Sequence, residues 1–335
     1  MATGPKGSAA GAVNAPSQTE DKGNIHGIIM MQFSVFFFGT NDVFNKLVAD
    51  GLATGQMILF RSLFATVMVL ILCVAMRHHK YIYQGLNPIL LLRGLCEALS
   101  AISCLVALKY LPLANVYAVL QSIPLITTAF AAVFLREAVG IRRWLAILVG
   151  FVGVMAIVRP GLDGFNFYSL FAVSAALLAS SRDLFTRQIK ADISLWVVTL
   201  TTMIVSALGG GILALFQITV EGDQGWQDPT TLKLLYVAGA ALFLTLGQYY
   251  VSIAMKNGQI SVVSSFRYVS MPIALVYGYL IWGEVPDSLT WFGIVLILAS
   301  GIYTIYRERQ VARLQRQGKR EGDPNNLYAA NTGIE

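Results

Sequence analysis

Ten apolar stretches follow one another along this chain, and they dictate what it can fold into. They run at about 27–48, 55–76, 88–109, 112–135, 142–158, 166–187, 194–217, 231–254, 260–282 and 289–306. A helix crosses the hydrocarbon of a bilayer with about 20 consecutive apolar residues, so each stretch reads as a transmembrane helix. Two connections are very short. Leu111-Pro112-Leu113 and Asn257-Gly258-Gln259 turn the chain within a few residues, so the helices they join pack antiparallel.

Composition agrees. Of 335 residues, 56% are hydrophobic and 13% charged, against about 25% charged in a soluble domain, and the mean hydropathy is +0.64. Too little polar surface remains to face water on all sides. The net charge of +6 is no nucleic-acid signature, because the basic residues sit in loops and the tail, where membrane orientation accounts for them. Cys73, Cys96 and Cys104 all fall in apolar runs and read as small buried residues. His26, His78 and His79 lack metal-ligand spacing. Residues 1–24 read as a disordered cytoplasmic tail and 307–335 as a basic, mobile one. No small-residue cleavage site follows the first apolar run, so a cleaved signal peptide is not expected.

Lys and Arg set the expected orientation. Lys22, Arg77, Lys80, Arg136, Arg142, Arg143, Arg187, Lys190, Lys256 and the cluster from Arg307 to Arg320 fall in one set of alternate loops and at both ends. Lys109, Arg159 and Lys233 fall in the other set. The first set is expected to be cytoplasmic, with both termini inside and the protein in the inner (plasma) membrane. The acidic loop at about 218–230, with Glu221, Asp223 and Asp228, then lies outside.

The two halves repeat each other. Ala107 and Lys109 match Ala254 and Lys256, and Glu137 and Trp144 match Glu284 and Trp291, at one constant offset. Pro124 matches Pro272 with a one-residue shift. Earlier in each half, Asp42-Val43-Phe44-Asn45-Lys46 matches Asp183-Leu184-Phe185-Thr186-Arg187. Five spans is an odd number, so the second repeat enters the membrane from the opposite side. Inverted repeats of this kind are common in transporters, with a site between the halves near the midplane.

The stretch from Phe134-Leu135-Arg136-Glu137 through Arg142-Arg143-Trp144 to Val149-Gly150-Phe151-Val152-Gly153 and Arg159-Pro160-Gly161, with its partner Gly283-Glu284 through Trp291-Phe292-Gly293 to Ser300-Gly301, resembles the EamA family of the drug/metabolite transporter superfamily. The resemblance covers about 25–306. It implies an all-α membrane protein of ten transmembrane helices, built as two inverted five-helix repeats (25–160 and 161–306) around a central cavity lined by helices 1, 3, 4, 6, 8 and 9. Some relatives carry S-adenosylmethionine or riboflavin inward; others export amino acids or metabolites.

Charges within such spans are costly, about 2.5–3.5 kcal/mol each at the bilayer centre on insertion scales, and so face a cavity or a partner. The candidates are Asp42, Lys46, Arg61, Arg93, Glu97, Arg182, Asp183 and Arg267. Asp42 and Lys46, four apart, share a helix face; Asp183 and Arg187 repeat the pattern. They read as gating or coupling pairs at opposite mouths, or as interfacial anchors. Arg93 and Glu97 are also four apart, so Glu97 reads either as a proton or cation site or as a structural partner of Arg93. Arg267, beside Tyr268, suits a carboxylate, a phosphate or a planar ring, or else pairs internally with Glu97 or Asp183. Tyr117 and Gln121 on helix 4, and Gln248, Tyr249 and Tyr250 on helix 8, offer polar and aromatic lining, or bonds between helices. Glu137 and Glu284 read as charges at helix N-termini, and Gly150, Gly153, Gly293 and Gly301 as close-packing positions. Gly209-Gly210-Gly211 reads as a flexible point or a packing site.

These residues point to a secondary transporter of a small organic metabolite, anionic or zwitterionic, with a proton or cation as possible coupling ion. No Gly-x-x-x-x-Gly-Lys-Ser/Thr loop is present for ATP, and no cofactor is expected. A monomer and a homodimer are both compatible with the sequence. The alternatives are an integral-membrane enzyme, for which His78-His79 is the conspicuous feature, or a non-transporting scaffold.

Overall fold

The computed structural model describes residues 18–49, 51–76, 78–134, 141–160, 165–189, 193–221, 226–257 and 264–321. Among these, eleven α-helices and two 3₁₀ turns carry the fold, with no strand. The helices are α1 Gln18–Val48, α2 Thr54–Ala75, α3 Pro88–Tyr110, α4 Leu113–Leu120, α5 Ile123–Phe134, α6 Ile141–Val158, α7 Ser169–Arg187, α8 Leu195–Glu221, α9 Thr231–Asn257, α10 Ser270–Trp282 and α11 Ser288–Glu321. The 3₁₀ turns are His78–Leu86 and Ser264–Val269. Local signals set several boundaries. Pro88 starts α3 behind Asn87, whose side chain accepts from Ile89 N–H at 2.9 Å. Gly283, at φ +67°, ends α10 in the left-handed conformation that glycine adopts most readily.

Six helical spans are long and apolar enough to cross a membrane unaided, Leu113–Phe134 counting α4 and α5 together; Trp144–Val158 and Ser288–Thr304 are shorter apolar helices. The remaining two expected stretches are α7, which carries Arg182 and Asp183, and the segment ending in α10.

The structure departs from the sequence reading in three places. The fourth stretch is not one helix: it breaks at Gln121-Ser122, just before Pro124, whose ring and missing N–H disrupt the preceding turn. The ninth, over its described residues, is a 3₁₀ turn at Ser264–Val269 and an α-helix from Ser270, just before Pro272. And the apolar runs do not bound their helices, since α1 begins at Gln18 and α11 continues to Glu321.

Helix packing follows the internal repeat. Exchanging the halves maps α1 onto α7, α2 onto α8, α3 onto α9, α4–α5 onto the Ser264–Val269 turn with α10, and α6 onto α11. Under that exchange α1 on α9 becomes α7 on α3, and α3 on α8 becomes α9 on α2, and all four contacts are present. The pairs α2–α8 and α6–α11 map onto themselves, so a pseudo-two-fold axis passes through them.

Side-chain ties show how the helices run. Lys46, near the end of α1, meets the backbone carbonyl of Leu111 after α3 and the carboxylate of Glu284 after α10. Tyr168, at the start of α7, stacks on Tyr110 at the end of α3. So α7 starts where α1 ends, and the second repeat is inverted. We call this side the distal face. The opposite side, where α1 begins and α11 ends, is the terminal face.

Glycines allow the close crossings. A Cβ on Gly153 would lie 2.8 Å from the carbonyl oxygen of Gly293, and one on Gly293 would lie 2.6 Å from that of Gly153. This places backbone against backbone where α6 crosses α11. Gly55 and Gly210 play the same part where α2 crosses α8, which makes the triple glycine of α8 a packing site at its middle residue.

Candidate functional site

The interior holds a chain of charged side chains between the halves. Arg182 on α7 donates through Nη1 to Glu97 Oε2 of α3 at 2.6 Å, and through Nη2 to its neighbour Asp183 at 2.7 Å. Asp183 Oδ2 lies 3.7 Å from Arg267 Nη1. Arg93 donates through Nε to Thr186 Oγ1 at 3.0 Å and through Nη1 to Thr202 Oγ1. Closer to the distal face, Asp42 on α1 accepts from Tyr117 Oη of α4 at 2.7 Å and from Asn41 Nδ2 at 2.8 Å. Gln121, at the break between α4 and α5, donates to the carbonyl of Tyr268 at 3.2 Å and to Ser270 Oγ at 2.9 Å. Its side chain thus joins the two discontinuous helices across the pseudo-two-fold.

These pairings correct the sequence reading. At Lys46 and Glu97 the i, i+4 partners are not the ones used. Lys46 pairs with Glu284 at 2.5 Å rather than with Asp42, and sits 4.7 Å from the Trp282 ring centroid. Glu97 pairs with Arg182 rather than with Arg93. Asp183 is held by Arg182 and Arg267; Arg187 closes α7, and its side chain lies outside the described residues, as does Glu137. Glu284 is not at the start of its own following helix. Asp287 caps α11, accepting from Thr290 N–H at 3.2 Å, whereas Glu284 accepts from Leu113 N–H at 2.8 Å, at the N-terminus of α4.

Exposure shows what the cluster faces. The side chains of Glu97, Arg182, Asp183 and Arg267 are 17%, 19%, 25% and 36% accessible. A charge turned toward hydrocarbon is costly and is found facing a water-filled interior instead. The groups of this network, with Arg61 buried nearby, are four guanidiniums (Arg61, Arg93, Arg182, Arg267) and three carboxylates (Asp42, Glu97, Asp183), a formal surplus of one positive charge.

Not every expected lining residue joins them. Tyr249 stacks on Trp196 of α8 at 5.4 Å, and Tyr250 packs 5.3 Å from Phe37 and 5.5 Å from Phe33. Phe33, Phe37 and Phe44 face α9, while Phe36 meets Tyr277 of α10. At 100° per residue this face of α1 points away from Asp42. The aromatic seam therefore lies on the outer side, apart from the charges. Gln248 is half-buried in α9. Among the described residues no His, Cys, Asp or Glu group is arranged for a metal ion.

The distal face is tied shut. Besides Lys46–Glu284, Lys233 Nζ donates to the carbonyl of Gly51 at 2.8 Å, Gln217 accepts from Gly55 N–H at 2.8 Å, and Arg159 pairs with Asp287. Gln56 and the backbone of Gln227 exchange two hydrogen bonds.

The sequence matches the EamA-like transporter family twice, over residues 25–159 and 166–306, one match in each half. Similar proteins include an S-adenosylmethionine uptake transporter of Rickettsia felis, 27% identical over 85% of this chain and 94% of its own. A riboflavin transporter of Vibrio cholerae is 30% identical over 63% of this chain and 68% of its own. A pseudopaline exporter of Pseudomonas aeruginosa is 26% identical over 82% and 94%. A solved crystal structure shares the fold at TM-score 0.57 and 17% identity, over 84% of this chain and 96% of that one.

Proposed function

The chain belongs to the EamA-like transporter family, and from that premise we propose that it is a secondary transporter moving a small organic anion or zwitterion across a membrane by alternating access. The observation that carries this reading is the charged network between the inverted halves, partly accessible and one positive charge in surplus. Relatives named for S-adenosylmethionine, riboflavin and pseudopaline support a small-metabolite cargo. The distribution of Lys and Arg supports placing the terminal face and both termini in the cytoplasm of an inner membrane. The distal ties then make this a state closed toward the outside. Arg267, half-exposed and held only loosely by Asp183, is assigned to cargo binding together with Glu97, Gln121 and Tyr268. Tyr117 is assigned to the same cavity nearer the distal face, and Asp42, which accepts from it, to coupling of cargo and ion there.

Reconstitution tests this. Proteoliposomes containing the full chain are expected to take up at least one of S-adenosylmethionine, riboflavin and the standard amino acids saturably and without ATP. Arg267→Gln is expected to lower that uptake about tenfold or more. Absence of uptake across the panel, with an imposed proton or sodium gradient, would overturn the proposal.

A further inference from the structure

Arg61 contributes its charge to the network but is tied to none of its other groups. It is 5% exposed on α2. Among the described residues it makes no ion pair or hydrogen bond, and its Nε is sealed from solvent without an acceptor. Arg93, Arg182 and Arg267 all have partners. Arginine cannot shed its charge by deprotonation, and a buried, unpaired charge costs several kcal/mol. A transporter can retain such a cost where the cargo supplies the missing acceptor.

Its surroundings say what that cargo carries. Asp42, Cys104 and Glu97 lie within electrostatic reach of Arg61. Arg61 and Asp42 form no ion pair, and Tyr117 and Asn41 hold the carboxylate. Counting about 1.5 Å per residue, both lie about 10 Å below the distal ends of their helices. On the same buried face of α1, Asn41 Oδ1 also lacks a partner. The site thus holds unused donors on Arg61, opposite acceptors on Asn41 and the Asp42 carboxylate. A simple anion would satisfy only the donors, and a cation only the acceptors. A group bearing both charges on adjacent atoms satisfies both.

Building on the transporter reading above, we propose that Arg61 and Asp42 seat the α-amino-acid group of the cargo. Arg61 takes the carboxylate in its planar fork. Asp42, with Asn41 Oδ1, takes the ammonium.

The test uses the full chain in proteoliposomes, read by ligand-induced thermal stabilisation and by uptake. The probes are S-adenosylmethionine and the standard amino acids, each beside a counterpart lacking the carboxylate: decarboxylated S-adenosylmethionine or the amino-acid amide. Riboflavin serves as a cargo without the group. At least one zwitterion is expected to stabilise the wild type and be taken up, with its decarboxylated or amide form weaker by about tenfold or more. Arg61→Gln is expected to abolish that difference and Arg61→Lys to retain part of it, while Asp42→Asn weakens the zwitterion by a similar factor. The wild-type comparison stands even if a variant fails to fold. A zwitterion bound equally by wild type and Arg61→Gln overturns the proposal. Uptake of riboflavin with no response to any zwitterion also overturns it and leaves the transporter reading intact. No uptake of any probe removes both.

Discussion

Single residues in this protein hold their places through partners far away in sequence. The hydroxyl of Tyr268 occupies the space over Gly301: a Cβ there would lie 2.0 Å from Tyr268 Oη. Gly301→Ala is expected to displace the ring and destabilise the fold by about 1–3 kcal/mol, seen as a lower melting temperature in detergent. Tyr268→Phe in the Gly301→Ala background should recover only a small part of the loss, because the ring Cζ would still lie 2.4 Å from the added Cβ. Lys46 and Glu284 form a part-buried pair. Lys46→Met or Glu284→Gln alone should each cost about 1–3 kcal/mol by leaving the other group without its charged partner. The double variant should cost less than the sum, and a double-mutant cycle on melting free energies checks this. The sequence marked both residues as noteworthy but not as partners. Charges four apart on a helix are the pairs a sequence can reveal. At Lys46 and Glu97 they were outcompeted by a group from another element, because Lys46 stands beside Glu284 and Glu97 stands beside Arg182.

At the scale of elements, hydropathy made the helices legible and hid their breaks. Gln121-Ser122 interrupts the backbone between α4 and α5 without interrupting the apolar run enough to show. Pro124 and Pro272, at matching places, were the available sign. The crossings of α6 with α11 depend on bare backbone. Gly153→Val is therefore expected to be among the most damaging single changes, since its Cβ would meet the immovable carbonyl of Gly293 as well as the Ile297 side chain, each at 2.8 Å. Thermal melts against Gly211→Val check this, because a Cβ at Gly211 meets only Leu59 Cδ1 at 3.7 Å. The same two helices are also joined at the distal face, where the hydrogen bond from Arg159 holds the Asp287 carboxyl down to about 2. Its folded value lies below the ordinary carboxylate value, so the contribution to stability is present above about pH 4 and is lost as pH falls toward 2. The pair is exposed and screened, so the effect is small. Asp287→Asn should lower the melting temperature slightly and by a constant amount from pH 5 to 8, and the gap from wild type should shrink below pH 4.

For the whole molecule, the inverted repeat was readable because a few polar and aromatic residues recur in order. The charged network was not, because the repeat is broken where chemistry matters. By the repeat, Arg182 corresponds to Asn41, Glu97 to Leu244 and Arg61 to Thr202. Asp42 and Asp183 keep the repeat, but these three positions do not, so symmetry alone gives no guide to the partners of Arg182, Glu97 and Arg61. If the distal ties close one mouth of an alternating-access cycle, locking them should stop it. Lys46→Cys with Glu284→Cys, in a chain whose three native cysteines are replaced, is expected to lose uptake on oxidation and regain it with reductant. Uptake unaffected by a verified cross-link would show that this face need not open.

The helices that pack on their own counterparts carry one more implication. Where α2 lies on α8 and α6 on α11, each half presents a surface that fits a copy of itself turned upside down. That is the geometry of two identical short chains inserted in opposite directions, before a duplication joined them. Joining would have released each half from serving both orientations. The Asn41–Arg182 and Glu97–Leu244 differences are what such a release permits.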